Sequence, residues 1–339
     1  MSDADAKTDV AIIGAGPVGL FAVFELGMLN MRAAVFDVLH APGGQCTALY
    51  PEKPIYDIPG YPRIDAGDLV ERLTEQAAPF APSYHLGAPV TRLARTDGGW
   101  RVGAENGTEV AAKAVVIAAG GGAFGPNRPP LDGIESYEGR SVFYMVGRRE
   151  DFRGKRVVIA GGGDSAVDWA LSLAEIAAGV AVVHRRPKFR AAPASVARLR
   201  ELAEAGRIEL VVPYQLAGLD GADGQLDAVI VRTLDGDEQR LPADVLLPFY
   251  GLSSDLGPIA GWDLALERRQ IAVDPATCAT SQPGIYAIGD IVTYPGKLKL
   301  ILCGFSEAAL AAHAIHRLVF PNQELHFEYS TMKGLPGRS

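Results

Sequence analysis

Two copies of one pattern constrain the fold of this 339-residue chain more than any other feature. The first copy is a short apolar strand at residues 9–13, a glycine-rich turn at 14–19 and then a segment of helical composition. The second copy begins 147 residues later, with a strand at 156–160 and a turn at 161–166. Strand, glycine turn and helix are the context that a dinucleotide-binding fingerprint requires. The sequence therefore predicts two nucleotide-binding βαβ units.

The first turn reads Gly-Ala-Gly-Pro-Val-Gly, and each of its glycines has a mechanical reason. Gly14 permits the tight turn, Gly16 lets the backbone approach a pyrophosphate, and Gly19 allows close packing of helix and strand. The phosphates are expected at the helix N-terminus, which favours negative charge. The next strand ends in Asp37, whose carboxylate can accept the hydroxyls of an adenosine ribose. The residues predicted to bind this dinucleotide are Gly14, Ala15, Gly16, Pro17, Val18, Gly19 and Asp37. The alternative is a turn that only packs a core helix.

The second turn differs from the first where the ribose is recognised. The strand at residues 180–183 ends at His184 instead of an acid, and a basic loop follows it. The cations of this loop are Arg185, Arg186, Lys188 and Arg190. Guanidinium groups bind a 2′-phosphate through paired, charge-assisted hydrogen bonds, so NADP(H) is predicted rather than NAD(H). The alternative is a solvated basic loop. The residues predicted to contact NADP(H) are Gly161, Gly162, Gly163, Asp164, Ser165, Ala166, His184, Arg185, Arg186 and Arg190.

The spacing of the two units predicts interleaved domains. Residues 1–122 and 252–339 are expected to form the first domain, and residues 123–251 a second domain inserted into it. Late in the chain, residues 281–290 predict a turn and a short strand that ends in Asp290. Asp290 can hydrogen-bond the ribitol of a flavin, although Gly-Asp after a strand is also a common turn. A helix from about residue 306 to 319 is expected to direct its N-terminus at the flavin.

Composition excludes several other classes of protein. A formal net charge of -8 argues against a general nucleic-acid binder. We expect no membrane span and no signal peptide, because no long uncharged apolar stretch is present. Cys46, Cys278 and Cys303 cannot form a disulfide framework, which fits a cytoplasmic, reducing location. No metal site is predicted, since His313 and His316 stand without further ligands.

The order of these motifs resembles that of the thioredoxin-reductase-like flavoproteins over nearly the whole chain. Their redox-active cysteine pairs are missing, however. Residues 144–152, where thioredoxin reductases carry a CxxC motif, contain no cysteine. In the glutathione-reductase arrangement, Cys46 matches the first cysteine, but Pro51 stands at the position of the second. A dithiol relay is therefore excluded in both places.

Without a disulfide, the chain most closely resembles the thioredoxin-reductase-like ferredoxin–NADP⁺ reductases. The resemblance implies two interleaved Rossmann-like α/β domains of three-layer ββα type, with the NADP domain inserted into the FAD domain. It also implies a homodimer that transfers a hydride between NADP(H) and FAD and then single electrons to or from ferredoxin or flavodoxin.

The resemblance further implies roles for individual residues around the flavin. Gln45 hydrogen-bonds the flavin and Tyr50 stacks on one of its faces. Tyr329 and Thr331 belong to a C-terminal tail that reaches the flavin of the other subunit, with the aromatic ring on the second face and the threonine near N5. The remaining residues expected to line the FAD site are Gly44, Val90 and Phe124.

Other functions stay open on the sequence alone. They are an NADPH-dependent diaphorase, quinone reductase or oxidase with a small acceptor, a monooxygenase, and a regulatory subunit that only binds NADPH and FAD. An acidic ferredoxin would need a local basic patch, because the chain is itself acidic. The candidates for that patch are Arg148, Arg149, Arg153, Lys155, Arg156, Lys297, Lys299 and Lys333.

Overall fold

The computed structural model describes residues 6–325, except for the side chains of residues 6, 123–126 and 252–254. This part of the chain divides into two compact units. The residues up to Phe124 and from Ser254 onward form the first unit, and Gly125–Ser253 form the second. The two connecting segments, β9 (Ala123–Pro126) and β17 (Leu252–Asp255), pair with each other in a two-stranded sheet.

The first unit contains the longer list of elements. Its strands are β1 (Ala6–Ile13), β2 (Ala33–Phe36), β3 (Pro54–Ile55), β4 (Ile64–Asp65), β5 (Ser83–His85), β6 (Val90–Thr96), β7 (Gly99–Ala104), β8 (Glu109–Ile117), β18 (Leu266–Glu267), β19 (Gln270–Ala272), β20 (Ile285–Ala287) and β21 (Val292–Thr293). Its α-helices are α1 (Pro17–Met28), α2 (Gln45–Leu49), α3 (Ala66–Ala77) and α6 (Ile301–Val319), and short 3₁₀ turns lie at Ala78–Phe80, Gly257–Gly261 and Gly289–Ile291.

The main sheet of the first unit is built around β1 and β8, in the order β5-β2-β1-β8-β7-β6. The four strands β5, β2, β1 and β8 are parallel, whereas β7 and β6 continue antiparallel. Strand β8 changes partner along its length: residues 109–112 pair with β7, and residues 115–117 pair with β20.

Side-chain alternation along β1 gives this unit three layers. Because successive side chains of a strand point to opposite faces, Val10 and Ile12 pack with the helices α1 and α6. Ala11 and Ile13 pack on the other face, with the residues of β6 and β7. The sheet therefore has helices on one side and the antiparallel strands on the other.

The second unit repeats this construction on a smaller scale. Its strands are β10 (Arg156–Ala160), β11 (Gly179–Val183), β12 (Ile208–Val211), β13 (Gln215–Ala222), β14 (Gln225–Arg232), β15 (Glu238–Pro242) and β16 (Val245–Pro248), and its α-helices are α4 (Asp164–Leu173) and α5 (Pro193–Glu204). A parallel sheet in the order β12-β11-β10-β16 packs α4 and α5 on one face. The antiparallel sheet β13-β14-β15 covers the other face, through residues of β14 and β15.

The predicted fold class is confirmed. The segments β1-α1-β2 and β10-α4-β11 are βαβ units, and each central strand lies between two parallel neighbours. The predicted start of the last helix is wrong, because α6 begins at Ile301 rather than near residue 306. Gly304 is a poor helix former, but a Cβ atom there would lie 2.4 Å from Val18 Cγ2, so close packing requires the glycine inside the helix.

Residues 6–325 contain neither a candidate membrane span nor a candidate metal site. No helix in this range combines the length and the hydropathy that a membrane span needs. Within the same range, no group of three or more His, Cys, Asp or Glu side chains could hold a metal ion. His316 is buried at the end of α6, where its ring centroid lies 5.1 Å from that of Phe320.

Candidate functional site

A cavity in the first unit opens at the carboxyl ends of β1, β2 and β8, and we call it the β1–β8 cavity. Ligands of parallel α/β sheets bind at this edge of the sheet. The structure brings together here most of the residues predicted for the first dinucleotide. Those that line the cavity are Gly14, Gly16, Pro17, Val18, Asp37, Gly44, Gln45, Tyr50, Val90 and Asp290.

Two of the residues predicted for this site, Ala15 and Gly19, do not line the cavity, and three others lie wholly or in their side chains outside the described part of the chain. Ala15 is fully buried, and its N–H donates to Asp37 Oδ2 at 2.6 Å. Gly19 has a packing role, because a Cβ atom there would lie 2.0 Å from the Gly14 carbonyl oxygen. Tyr329 and Thr331 lie outside the described residues. Their contacts with a flavin stay predictions.

Phe124 belongs to β9, but its side chain is not among those that the structure describes. Its predicted place beside the flavin is therefore also untested. The backbone around it forms the connection between the units.

The first glycine turn contains space that the protein itself does not fill. A Cβ atom on Gly14 would lie 2.3 Å from the Ala118 carbonyl oxygen, so the fold requires glycine there. Gly16 is different: a Cβ atom on it would meet no atom within 4 Å, although the residue lines the cavity and caps α1. The open space beside a helix N-terminus fits a pyrophosphate.

Asp37 joins the end of β2 to the glycine turn. Its Oδ2 accepts the Ala15 N–H at 2.6 Å, and its Oδ1 accepts the Leu39 N–H at 2.8 Å. Burial raises the pKa of this carboxyl, and the backbone hydrogen bonds act in the opposite direction. Since each carboxylate oxygen has a second lone pair, Asp37 can still accept ribose hydroxyls from the cavity.

Tyr50 and Cys46 form the wall that α2 contributes. Gly44 precedes α2 with φ 56°, and a Cβ atom there would lie 3.2 Å from Gly16 Cα, so α2 approaches the first glycine turn closely. The Tyr50 hydroxyl and the Cys46 thiol are close enough for each to affect the pKa of the other. Burial raises the pKa of Cys46 to about 11 and raises that of Tyr50 as well. The Cys46 thiol is therefore protonated at neutral pH, which is the unreactive form.

Cys46 is accordingly expected to resist alkylation. With a pKa of about 11, its thiolate fraction at pH 8 is roughly 100-fold below that of an ordinary cysteine, and the rate should fall accordingly. The holoprotein can be treated with iodoacetamide and the peptides followed by mass spectrometry, with half-buried Cys303 and a free cysteine peptide as references. Reaction of Cys46 as fast as the free peptide would contradict this assignment.

As in the first glycine turn, one glycine of the second turn is required by close packing and another faces open space. A Cβ atom on Gly161 would lie 2.7 Å from the Phe249 carbonyl oxygen, whereas one on Gly163 would meet nothing within 4 Å. Asp164, the first residue of α4, uses its Oδ1 to accept the Ala192 N–H at 2.9 Å. Asp164 therefore ties the turn to the start of α5, a structural task that the sequence did not suggest.

His184 connects the basic loop with the second glycine turn. A Cβ atom on Gly162 would lie 2.3 Å from the His184 ring, and the Arg190 N–H donates to the Gly162 carbonyl at 2.7 Å. Burial, assisted by the neighbouring arginines, lowers the pKa of His184, so the ring is neutral at pH 7. The exposed cations on this loop are Arg185, Arg186, Lys188 and Arg190. The predicted NADP(H) residues thus lie on two neighbouring segments, the glycine turn after β10 and the basic loop after β11, which contact each other through His184 and Arg190.

The predicted docking patch is wrong at Lys297. Its side chain is only 5% exposed, and its Nζ lies 2.5 Å from Glu307 Oε1. A lysine in a loop is usually solvated, and only the packed structure places Glu307 beside it. Three arginines of the other group are paired locally, and their partners are Glu175 for Arg149, Glu150 for Arg153 and Asp244 for Arg156. Lys299 is exposed, and Lys333 lies outside the described residues.

Sequence reasoning missed one wall of the β1–β8 cavity. This wall is formed by Ala88, Pro89, Leu256, Pro258 and Ile259. No motif marks these residues, because they come from two segments, 88–89 and 256–259, that are far from each other and from the glycine turn in sequence. Gly120 and Gly122, which follow β8, also line the cavity. These two residues could have been predicted from the sequence, because glycines directly after a buried strand are typical of a ligand-binding turn.

The fold and the two glycine turns define a two-unit dinucleotide-binding α/β protein of the oxidoreductase type. Residues 8–315 match the pyridine nucleotide-disulphide oxidoreductase family. The chain belongs to this family and, within it, to the ferredoxin–NADP reductases of thioredoxin-reductase-like fold, which confirms the resemblance predicted from the motifs.

Individual relatives support this placement along nearly the whole length. The ferredoxin–NADP reductase of Paramagnetospirillum magneticum is 68% identical over 98% of this chain and 99% of its own. That of Granulibacter bethesdensis is 65% identical over 97% and 95%. Among solved structures, thioredoxin reductase from Lactococcus lactis is 25% identical and superposes with a TM-score of 0.78, covering 93% of this chain and 99% of that one.

Proposed function

We propose that this chain is a ferredoxin–NADP⁺ oxidoreductase that uses FAD and NADP(H) and no redox disulfide. Relatives that carry this name are 55–68% identical to it. The observation that carries the proposal concerns sulfur: all three cysteines lie within residues 6–325, and none is paired in a disulfide. Electrons that reach the β1–β8 cavity therefore need an acceptor outside the chain.

The residues of the β1–β8 cavity fit FAD. The open space at Gly16 and the N-terminus of α1 suit the pyrophosphate, and Asp37 suits the adenosine ribose. Asp290 lies where it can accept a ribitol hydroxyl, while Gln45 and Tyr50 line the part assigned to the ring. FAD supplies the exchange between two-electron and one-electron chemistry when it is bound. The protein contributes position and charge.

The second unit supplies the specificity for NADP(H). The turn at Gly163 and the N-terminus of α4 form the phosphate site, and Arg185 and Arg186 bind the 2′-phosphate. His184 and Asp164 act indirectly, because they hold the basic loop and the glycine turn in register. On this proposal, residues 123–251 are the NADP domain, and residues 1–122 and 252–339 are the FAD domain.

The proposal includes a homodimer, flavodoxin as a second electron partner and a cytoplasmic location. A homodimer would let Tyr329 and Thr331 complete the flavin site of the other subunit, and flavodoxin would serve as an alternative to ferredoxin. A cytoplasmic location is supported by the three free cysteines, which a reducing compartment keeps in that state.

Anaerobic reduction of the purified yellow protein tests the proposed function. NADPH is expected to bleach the bound FAD faster than NADH, and cytochrome c reduction is expected to depend on added ferredoxin. Fast turnover with oxygen or a quinone and no effect of ferredoxin would instead indicate an oxidase or quinone reductase. Bound FAD that NADPH fails to reduce would indicate a regulatory subunit, and either result would overturn the proposal.

A further inference from the structure

A buried ion pair contacts Gly289, the residue that precedes Asp290. Lys297 precedes α6 and Glu307 lies in its second turn; their side chains are 5% and 3% exposed, with Nζ and Oε1 2.5 Å apart. Oε1 also accepts the Tyr294 hydroxyl at 2.7 Å, and Oε2 accepts the Gly289 N–H at 2.7 Å. Removing one partner of such a pair leaves an uncompensated buried charge. The pair therefore has to be maintained as a unit.

The pair is connected to two walls of the β1–β8 cavity. Gly289, with φ 82°, immediately precedes Asp290, and both residues line the cavity. Glu307 holds Gly289 directly through the backbone N–H. One turn earlier on α6, Gly304 packs against Val18 of the first glycine turn. Through these contacts α6 fixes the backbone from which the Asp290 side chain extends.

The pair also sets the charge around Asp290. Burial has the largest effect on this carboxyl and raises its pKa; Lys297 lowers the pKa, and Glu307 raises it with a smaller effect. The charged groups that act on the Asp290 carboxyl are Lys297, Lys299 and Glu307. The charge of Asp290 in turn raises the pKa of Cys46 and that of Tyr50. The two members of the ion pair thus act on Asp290 in opposite directions.

We propose that the Lys297–Glu307 pair is a positioning element for FAD, which holds Gly289 and Asp290 against the cavity and balances the charge beside the Asp290 carboxylate. This inference rests on the proposed FAD site. An ionised Asp290 accepts hydrogen bonds from ligand hydroxyls. Lys297 favours this ionised form, and Glu307 disfavours it while holding the Gly289 backbone.

Acid titration of the holoprotein, followed by the fluorescence of released FAD, tests the proposal. In Lys297→Met the pKa of Asp290 rises, so FAD release is expected at a higher pH than in the wild type. In Glu307→Gln the amide oxygen can still accept the Gly289 N–H, while the pKa of Asp290 falls, so FAD release is expected at a lower pH than in the wild type. A merely structural role would move both variants toward release at higher pH, and that result, or no shift in either, would overturn the proposal.

Matched controls come from partly exposed ion pairs of the same unit. Lys113 pairs with Asp9, and Glu109 pairs with Arg92. Lys113→Met and Glu109→Gln make the same charge changes and are expected to release FAD at the wild-type pH. Circular dichroism recorded in parallel establishes that release precedes unfolding.

Two further variants keep the outcome interpretable. If Glu307→Gln does not fold, the double variant Lys297→Met/Glu307→Gln replaces it. This variant is expected to release FAD at a pH between that of the wild type and that of Lys297→Met. Release at or above the pH of Lys297→Met would overturn the proposal. Asp290→Asn separates this inference from the proposed site. A wild-type release profile in Asp290→Asn means that the proposed FAD site is wrong. A changed profile there, with no shift in the pair variants, means that only the role of the pair is wrong.

Discussion

Gly16→Val is expected to give a folded protein that no longer retains FAD. The backbone at Gly16 is extended, with φ −70° and ψ 178°, a conformation that valine adopts readily. No protein atom lies within 4 Å of the position that its Cβ would take, so the fold itself is not disturbed. The added side chain instead fills the space assigned to the pyrophosphate. A loss of about 4 kcal/mol in binding corresponds to roughly 1000-fold weaker affinity.

The measurement is the ratio of flavin to protein absorbance after purification, together with the circular dichroism spectrum. Gly98→Val is the matched control, because a Cβ at Gly98 also meets no atom within 4 Å and this glycine does not line the cavity. The control is expected to be yellow. Full FAD content in Gly16→Val would contradict the assignment of this turn.

Replacing Arg185 and Arg186 by alanine is expected to remove the preference for NADPH. A hydrogen bond to a charged group contributes about 1.5–3 kcal/mol, so the double variant should raise the KM for NADPH by roughly 100-fold or more. NADH lacks the 2′-phosphate, so its KM should change little. Both side chains are exposed on the loop that follows β11, and their removal leaves the core intact.

Steady-state kinetics with both nucleotides provide the test. Arg198→Ala removes an exposed arginine of the same unit, on α5, whose partner is Glu201, and it should leave both KM values unchanged. An equal loss for NADPH and NADH in the double variant would show that the loop does not recognise the 2′-phosphate.

Local signals explain why both βαβ units could be predicted from the sequence. Strand, glycine turn, helix and the residue at the end of the second strand lie close together in the chain, and each has its own physical reason. The contrast between Asp37 and the basic loop after His184 was visible in the same way. The structure places Asp37 on the cavity and the cations on one exposed loop.

Long-range packing explains what the sequence could not provide. The first turn of α6 contains Gly304, which packs against Val18, a residue 286 positions earlier in the sequence. Lys297 was placed on the surface because its burial depends on Glu307 and on the fold around both. The wall at Leu256 and Ile259 likewise forms only after the chain has returned from the second unit.

Ferredoxin-dependent turnover in a protein without cysteine tests the central claim most directly. The triple variant Cys46→Ala/Cys278→Ala/Cys303→Ala removes every thiol from the chain. If electrons pass from FAD to ferredoxin without a sulfur relay, ferredoxin-dependent NADPH oxidation per bound FAD should persist in this variant, even though Cys46 lines the cavity. A variant that retains FAD and is reduced by NADPH, yet has lost ferredoxin-dependent turnover, would contradict the account.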